Sequence, residues 1–167
     1  MKANRYSETQ RFDQWWLWLF VLLPLLGIFV WAFVQQILLG KPFGDNPGNN
    51  AELILSGVLP IGILLLFRGM RLDTKLSEEG VEVRFFPFVK KRTYAWQDIE
   101  KAYLRSYNSL MEFGGWGIRF AHSGTAYNVA GKYGLQLELR NGKRLLIGTQ
   151  DPERLRRALA NHSIPGA

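Results

Sequence analysis

The first pattern along the chain is an uncharged, apolar run of twenty residues from Trp15 to Val34. With a rise of about 1.5 Å per residue, a helix of that length spans about 30 Å, the thickness of a bilayer's hydrocarbon core. A second uncharged run, from Leu53 to Phe67, reaches a similar length when its flanking residues are added. We therefore predict transmembrane helices over residues 15–39 and 51–70, joined by an external loop over residues 40–50.

Small residues occur in both runs, and two structural roles are open for them. Either they let the two helices approach closely, or they simply face lipid. The residues concerned are Gly27, Ser56, Gly57 and Gly62.

Basic residues are distributed unequally around the two apolar runs. Three precede the first run (Lys2, Arg5 and Arg11), three follow the second (Arg68, Arg71 and Lys75), and the loop between them has Lys41 alone. Lys and Arg are enriched in cytoplasmic flanks. The first run is too long for a cleaved signal peptide. We expect an integral inner (plasma) membrane protein with both termini in the cytoplasm, residues 1–14 being a cytoplasmic segment.

After residue 70 the apolar positions change to a period of two, which is typical of half-buried strands. The clearest alternation is at Leu135, Leu137 and Leu139, which should share one buried face. Strand patterns recur about every eight to twelve residues, the spacing of an antiparallel sandwich or barrel. We predict a cytoplasmic domain over residues 71–167, with about seven strands that are all antiparallel as far as residue 148.

The end of this domain has two local signals. Asn141-Gly142 lies between two strand patterns and predicts a two-residue turn with positive φ at both positions. Asp151 and Pro152 are suited to the start of a helix. Leu155, Ala158 and Leu159 then give that C-terminal helix one apolar stripe, which must cover part of the strands. The fold class is therefore membrane α+β.

Charge is concentrated in the strand-rich part of the chain. The net charge is +7, and residues 1–67 hold four basic and four acidic groups, so the whole excess lies in residues 68–167. A basic domain next to a membrane suggests attraction to anionic lipid headgroups. Nucleic acid is disfavoured by the membrane tether, and the alternative is that the charge only maintains solubility.

Residues suited to catalysis or metal binding are scarce. The chain has no cysteine, and His122 and His162 show no ligand spacing. Ser123 is adjacent to His122, so the two side chains would point apart in an extended segment. The glycines at 114–117 lack the frame of a nucleotide-binding loop. We expect no enzymatic activity, no cofactor, no metal and no small-molecule substrate.

One segment combines exposed aromatic and basic chemistry. Residues 85–92 read FFPFVKKR, and the two-fold period places Phe85 in the core and Phe86 on the opposite face. An apolar tip beside cations suits contact with a membrane surface. The candidate residues are Phe86, Phe88, Lys90, Lys91 and Arg92. The alternative is that Phe85 and Phe88 enter the core and the cations are solvated.

Three stretches carry a resemblance to a known group of proteins. They are VRFFPF (83–88), GGWGIR (114–119) and AYNVAGKYGLQLELRNGKRLLIGTQDPERL (126–155). Together they resemble bacterial membrane proteins with two N-terminal transmembrane helices and a cytoplasmic pleckstrin-homology-like (bacterial PH) domain. The likeness covers about residues 50–160. It implies a PH-like barrel or sandwich closed by one helix, a membrane address and a non-enzymatic role. The phosphoinositide binding of eukaryotic PH domains is not carried over.

Two functions follow as expectations. The first is a scaffold or interaction module, with a protein partner or a second copy of the chain bound to the PH-like domain. The alternative is a module that senses or binds membrane lipids through the basic-aromatic segment.

Overall fold

The computed structural model describes residues 6–160 of the chain, which forms two compact units. One unit contains residues 13–69, and the other combines residues 1–12 with residues 70–167. Lys2, Arg5 and His162 lie outside the described residues.

The first unit contains two long helices, α1 (Trp15–Leu38) and α2 (Asn50–Gly69). Both are long and apolar enough to cross a membrane, by length and composition. A capping box begins α2: the Asn49 side chain accepts a hydrogen bond from the Glu52 amide, and the Glu52 carboxylate accepts one from the Asn49 amide, each 2.9 Å long. This reciprocal pairing satisfies amides that the first helical turn leaves without partners.

The small residues of the two helices have different surroundings. A Cβ placed on Gly57 of α2 would collide with the ring of Phe29 in α1, so a small residue is required there. Gly27 and Gly62 have open space where a Cβ would be. The close-approach reading therefore applies to Gly57, and it does not apply to the other two glycines.

The second unit contains nine strands among the described residues, with two helices. The strands are β1 (Ser7–Arg11), β2 (Arg71–Leu76), β3 (Gly80–Phe86), β4 (Val89–Ala95), β5 (Ile99–Ser106), β6 (Gly117–Ala121), β7 (Gly124–Asn128), β8 (Tyr133–Leu139) and β9 (Arg144–Thr149). The helices are α3 (Ser109–Phe113) and α4 (Pro152–Ala160), and a 3₁₀ turn covers Trp96–Asp98.

The strands form two separate sheets. Sheet A has the order β1-β2-β3-β4, and sheet B has the order β5-β8-β9-β7-β6. The sheet-rich domain with a C-terminal helix is confirmed, but the sheets do not close into a barrel. Eight of the nine described strands lie within residues 71–149, close to the expectation of about seven, and β1 lies outside the predicted domain. The expectation of an entirely antiparallel arrangement was wrong, because β7 and β9 are parallel over Thr125–Tyr127.

The main core lies between the two sheets. Leu135, Leu137 and Leu139 are all buried, as their alternation predicted. The Phe85 ring of sheet A lies 6.4 Å from the Tyr127 ring of sheet B, centroid to centroid. Burial of such side chains contributes about 1.5–3 kcal/mol each.

A smaller core lies on the other face of sheet B. Tyr107, Phe113, Ala126 and Leu146 form this second cluster, with Phe113 supplied by α3. The short helix, which the sequence patterns did not predict, explains why alternate residues on both faces of sheet B are buried.

Strand β1 precedes the apolar run in sequence, yet it forms the edge of sheet A. It pairs with β2 in an antiparallel register that aligns Arg11 with Arg71. Its polar side chains reach sheet B: Gln10 Nε2 donates to the Gly148 carbonyl at 2.6 Å, and Thr149 Oγ1 donates to Glu8 Oε2 at 2.8 Å. Residues 7–11 are therefore part of the domain, in addition to residues 71–160.

The turn between β8 and β9 differs from the prediction. Gly142 has φ +79°, but Asn141 does not have a positive φ. The Gly142 amide bonds the Leu139 carbonyl, and the Leu139 amide bonds the Lys143 carbonyl, each at 2.9 Å. This is a three-residue loop, a type I turn followed by a left-handed glycine, so only Gly142 needs positive φ.

The C-terminal helix α4 matches its sequence signals. Asp151 Oδ1 accepts a hydrogen bond of 3.0 Å from the Arg154 amide, which caps the first turn. Leu155, Ala158 and Leu159 are buried, as the apolar stripe predicted. The helix contacts β5 of sheet B, so it covers that edge of the sandwich.

Candidate functional site

The basic-aromatic segment forms the hairpin between β3 and β4. The β3–β4 hairpin is defined here as residues 85–92. Phe86 is the last residue of β3, and it pairs with Arg71, which in turn pairs with Arg11. This is the end of sheet A at which β1 leads to residue 13 and β2 begins after residue 69. Both connections to the apolar helices therefore leave the sheet beside the hairpin.

The three phenylalanines of the hairpin have different environments. Phe85 is fully buried, and its ring lies 6.3 Å from that of Phe12. Phe86 is 40% exposed and Phe88 is 58% exposed. The alternative in which both Phe85 and Phe88 enter the core therefore holds for Phe85 only. Membrane contact by Phe86 and Phe88 stays a prediction.

Two arginines stack on the exposed Phe86 ring. The Arg84 guanidinium lies 5.3 Å from the ring centroid and the Arg71 guanidinium 5.6 Å, both within cation–π range. Arg71 also forms an ion pair of 3.3 Å with Asp73. Sequence reasoning missed both arginines. Two-fold alternation could have placed Arg84 on the same face as Phe86, but the position of Arg71 depends on the strand register.

The three cations after the turn lie on the edge strand β4, and all are exposed. Lys91 forms a 3.0 Å ion pair with Glu82 on β3. Within residues 6–160, neither Lys90 nor Arg92 has a carboxylate at ion-pair distance. Their charges remain available to an anion supplied from outside the chain.

The β3–β4 hairpin combines an apolar tip with positive charge. Lys90, Lys91 and Arg92 belong to the hairpin, and Arg71 and Arg84 lie beside it, with Arg71 and Lys91 also paired to acidic residues. This arrangement suits a surface in which anionic groups overlie an apolar layer, because rings can enter the layer while cations stay at the charges. The hairpin holds no histidine, serine or cysteine that could act as a nucleophile or general base.

Other residues weighed for chemistry lie elsewhere. His122 is exposed and Ser123 is half-buried in the turn between β6 and β7. Among the described residues, no hydrogen bond joins their side chains to an acid or base, as nucleophilic catalysis would require. On α4, Arg156 pairs with Glu153 at 3.1 Å, and the Arg154 guanidinium lies 5.6 Å from the Tyr6 ring centroid.

The motifs that carry the resemblance now have positions in the fold. VRFFPF forms the end of β3 and its turn, and GGWGIR joins α3 to β6. The chain matches no model of a known protein family and no curated protein sequence.

Proposed function

We propose that the protein is a non-enzymatic, membrane-anchored module of the PH-like type. Its β-rich unit is held at the cytoplasmic face of the inner membrane, and its β3–β4 hairpin contacts anionic lipid headgroups. The observation that carries this proposal is the position of the hairpin, at the end of sheet A from which the chain continues into both apolar helices.

Exposure of the two long helices supports membrane anchoring. Large apolar side chains of both are exposed, among them Trp15, Phe20 and Trp31 of α1 and Leu55 and Leu59 of α2. An apolar surface of this extent would be costly in water. A bilayer would cover it, and the length of each helix is suited to that thickness.

The pairing of β1 with β2 supports two crossings rather than one. These strands lie on either side of the apolar segment in sequence, and they are hydrogen-bonded in one sheet. Both must therefore lie on the same side of the bilayer. The basic flanks favour the cytoplasm. Reporter fusions at Asn46 and at the C-terminus should give opposite sides, and a periplasmic C-terminus would contradict the proposal.

Chain continuity supports a position of the hairpin close to the headgroups. Three residues separate Arg11 from Trp15, and Met70 alone separates Gly69 from Arg71. An extended residue spans at most about 3.6 Å, so the first connection reaches at most about 14 Å and the second about 7 Å. A basic residue near an anionic surface contributes about 1 kcal/mol, which makes several such cations a sizeable attraction.

The proposal can be tested on the full chain in lipid nanodiscs. The chain has no cysteine, so Phe88→Cys gives one site for a polarity-sensitive fluorophore. We expect a blue shift when anionic phosphatidylglycerol replaces part of the phosphatidylcholine, and we expect salt to reverse it. Lys90→Gln with Arg92→Gln should abolish the shift. Arg156→Gln with Arg157→Gln, an equal charge change on α4, should leave it intact.

Two results would contradict the lipid-contact proposal. One is a fluorophore that is insensitive to lipid charge. The other is an equal loss in the hairpin and α4 variants, which would indicate a general charge effect.

A second candidate function, a scaffold for protein contacts or self-association, has its own supporting observation. Met111 on α3 is 84% exposed, and Phe120 on β6, the strand that α3 contacts, is 80% exposed. Met and aromatic side chains are enriched in protein interfaces, so each of these exposed residues offers a contact to a partner. Crosslinking should then give a dimer or a partner adduct that Met111→Glu with Phe120→Glu removes. A chain that stays monomeric without any adduct would contradict the scaffold.

A further inference from the structure

We propose that the β-rich unit has a second ligand site, a cleft for a small phosphorylated solute or headgroup. The cleft lies between the β6–β7 turn and the β8–β9 turn, and it is separate in sequence from the β3–β4 hairpin. It is not required by the proposed function. Its volume is about 450 Å³, within the usual range for small-molecule sites.

The parallel pair of strands explains why these two turns meet. Strand β7 begins at Gly124 and β9 begins at Arg144, and the two strands are neighbours with Thr125 opposite Leu145. Parallel neighbours start at the same edge of a sheet. The turn that precedes each strand is therefore brought to the same end of sheet B.

The residues that line the cleft have the chemistry of an anion site. Lys143 and Arg144 supply two cations from the start of β9, and His122 adds an imidazole. Ser123 and Thr125 add two hydroxyl groups. Arg and Lys are common phosphate binders, and hydroxyl donors complete the coordination of phosphate oxygens. No Asp or Glu is among the residues that line the cleft.

The acidic residue opposite Arg144 in the sheet already has other partners. Glu138 is opposite Arg144 in the β8–β9 register. Its carboxylate accepts a 2.9 Å hydrogen bond from the Tyr103 hydroxyl and lies 4.0 Å from Lys101 Nζ. Within residues 6–160, neither Lys143 nor Arg144 forms an ion pair with a carboxylate. The cleft thus has two cations without a direct ion pair, although Glu138 lies opposite Arg144 across the two strands.

The backbone around the cleft is fixed by close packing. Gly124 has φ +119°, and a Cβ there would collide with the Arg144 backbone. The two turns are therefore in direct contact at this glycine. On the other side, the Asn141 side chain accepts a 3.1 Å hydrogen bond from the Lys143 amide, which holds the β8–β9 turn. A fixed backbone lowers the entropy cost of binding a small ligand.

A cleft of this volume exceeds what a bare phosphate fills, so we expect a phosphate group attached to a small polar body. A soluble phosphorylated metabolite and a lipid headgroup share this chemistry. Calorimetry on the full chain in phosphatidylcholine nanodiscs, at fixed ionic strength, can test it. The probes are inorganic phosphate and glycerol 3-phosphate, with chloride as the reference anion.

We expect saturable binding, tighter for glycerol 3-phosphate than for inorganic phosphate. Lys143→Gln with Arg144→Gln should weaken it by at least about tenfold, because charge-assisted bonds are lost. Ser123→Ala should weaken it by less. Arg156→Gln with Arg157→Gln, which removes two charges from α4, should leave the affinity unchanged.

Phosphatidylglycerol in the nanodisc separates the two sources. If phosphatidylglycerol weakens glycerol 3-phosphate binding, and Lys143→Gln with Arg144→Gln removes this competition, the site is assigned to headgroups. An unchanged affinity would assign it to a soluble ligand. Absence of saturation up to about 10 mM, or an equal affinity in the cleft and α4 variants, would overturn the site. The response of the fluorophore at position 88 is a separate readout, so the hairpin proposal stands or fails independently.

Discussion

Gln10 Nε2 donates a hydrogen bond of 2.6 Å to the carbonyl of Gly148, and this bond ties the first strand of the chain to the last. Gln10 lies before the apolar helices in sequence and Gly148 lies after them. The domain is therefore assembled from both ends of the chain. A fragment of residues 71–167 would lack β1, so tests of this domain require the full chain.

This tie between sheets predicts the effect of a single substitution. Gln10→Ala should destabilise the β-rich unit by about 1–3 kcal/mol, because a buried carbonyl loses its side-chain donor. Thr9→Ala is the matched control: Thr9 lies next in β1 but bonds Asp73 at the surface, so about 0.5 kcal/mol or less is expected. Denaturant unfolding of the full chain in micelles measures both. Equal effects would contradict the role of Gln10.

The β3–β4 hairpin predicts opposite outcomes for neighbouring phenylalanines. Phe85→Ala should cost about 3–5 kcal/mol, because its buried ring fills the core between the sheets. Phe86→Ser with Phe88→Ser should leave the melting temperature nearly unchanged while weakening contact with anionic nanodiscs. Thermal melts and the lipid response of the same proteins check this. Unfolding of the double variant would mean that both rings are structural.

The β8–β9 turn predicts a cost at one glycine. Gly142 has φ +79° and open space where a Cβ would be, so a substitution meets backbone strain without a steric clash. Gly142→Val should cost about 1–3 kcal/mol. Gly142→Asn should cost less, because Asn tolerates the left-handed region. Unfolding free energies of the two variants test this, and a tolerated valine would contradict the turn geometry.

Alkaline pH should weaken the tie that β1 makes with sheet B. Burial raises the pKa of the Tyr6 hydroxyl, and its hydrogen bond to the Glu8 carboxylate raises it further. A raised folded-state pKa means that this stabilisation is complete below about pH 10, the ordinary tyrosine value, and is lost as the pH rises above it.

Melting temperatures measured from about pH 8 to pH 11 test this dependence. Tyr6→Phe should lower stability at neutral pH, because the hydrogen bond from the Tyr6 hydroxyl to Glu8 is lost. The stability of this variant should fall less steeply above about pH 10. Part of the alkaline loss should remain, because burial also raises the pKa of Tyr107 and Tyr127. Parallel curves for the variant and the original chain would contradict the prediction.

Apolar alternation predicts strands such as β3 and β8 because they place apolar residues on a buried face. The same rule fails for β1, whose inward side chains, Glu8 and Gln10, are polar and form hydrogen bonds with β9. The pattern of hydrophobic residues does not record hydrogen bonds made to a strand about 140 residues away. The N-terminal segment therefore looked like a simple polar flank.

Only part of the candidate site could be predicted from the sequence, for a related reason. The two-fold period places Phe86 outside the core, whereas for Phe88, beyond the proline, the sequence left both positions open. The stacking of Arg71 on Phe86 depends on the β2–β3 register, and the cleft at His122 and Lys143 depends on the parallel β7–β9 pair. Both are properties of strand order, which local sequence patterns do not specify.

The most direct test of the central claim is a measurement of how deep the β3–β4 hairpin lies in the membrane. A nitroxide attached at Phe88→Cys, in full chain reconstituted in nanodiscs with phosphatidylglycerol, should be more accessible to oxygen than to a nickel chelate. The control is Lys75→Cys. Lys75 lies on the same face of β2 as Arg71, but about 13 Å farther along the strand from the hairpin end of the sheet. Its nitroxide should be accessible mainly to the nickel chelate. Equal, water-like accessibility at both positions would contradict the claim that the hairpin rests on the bilayer surface.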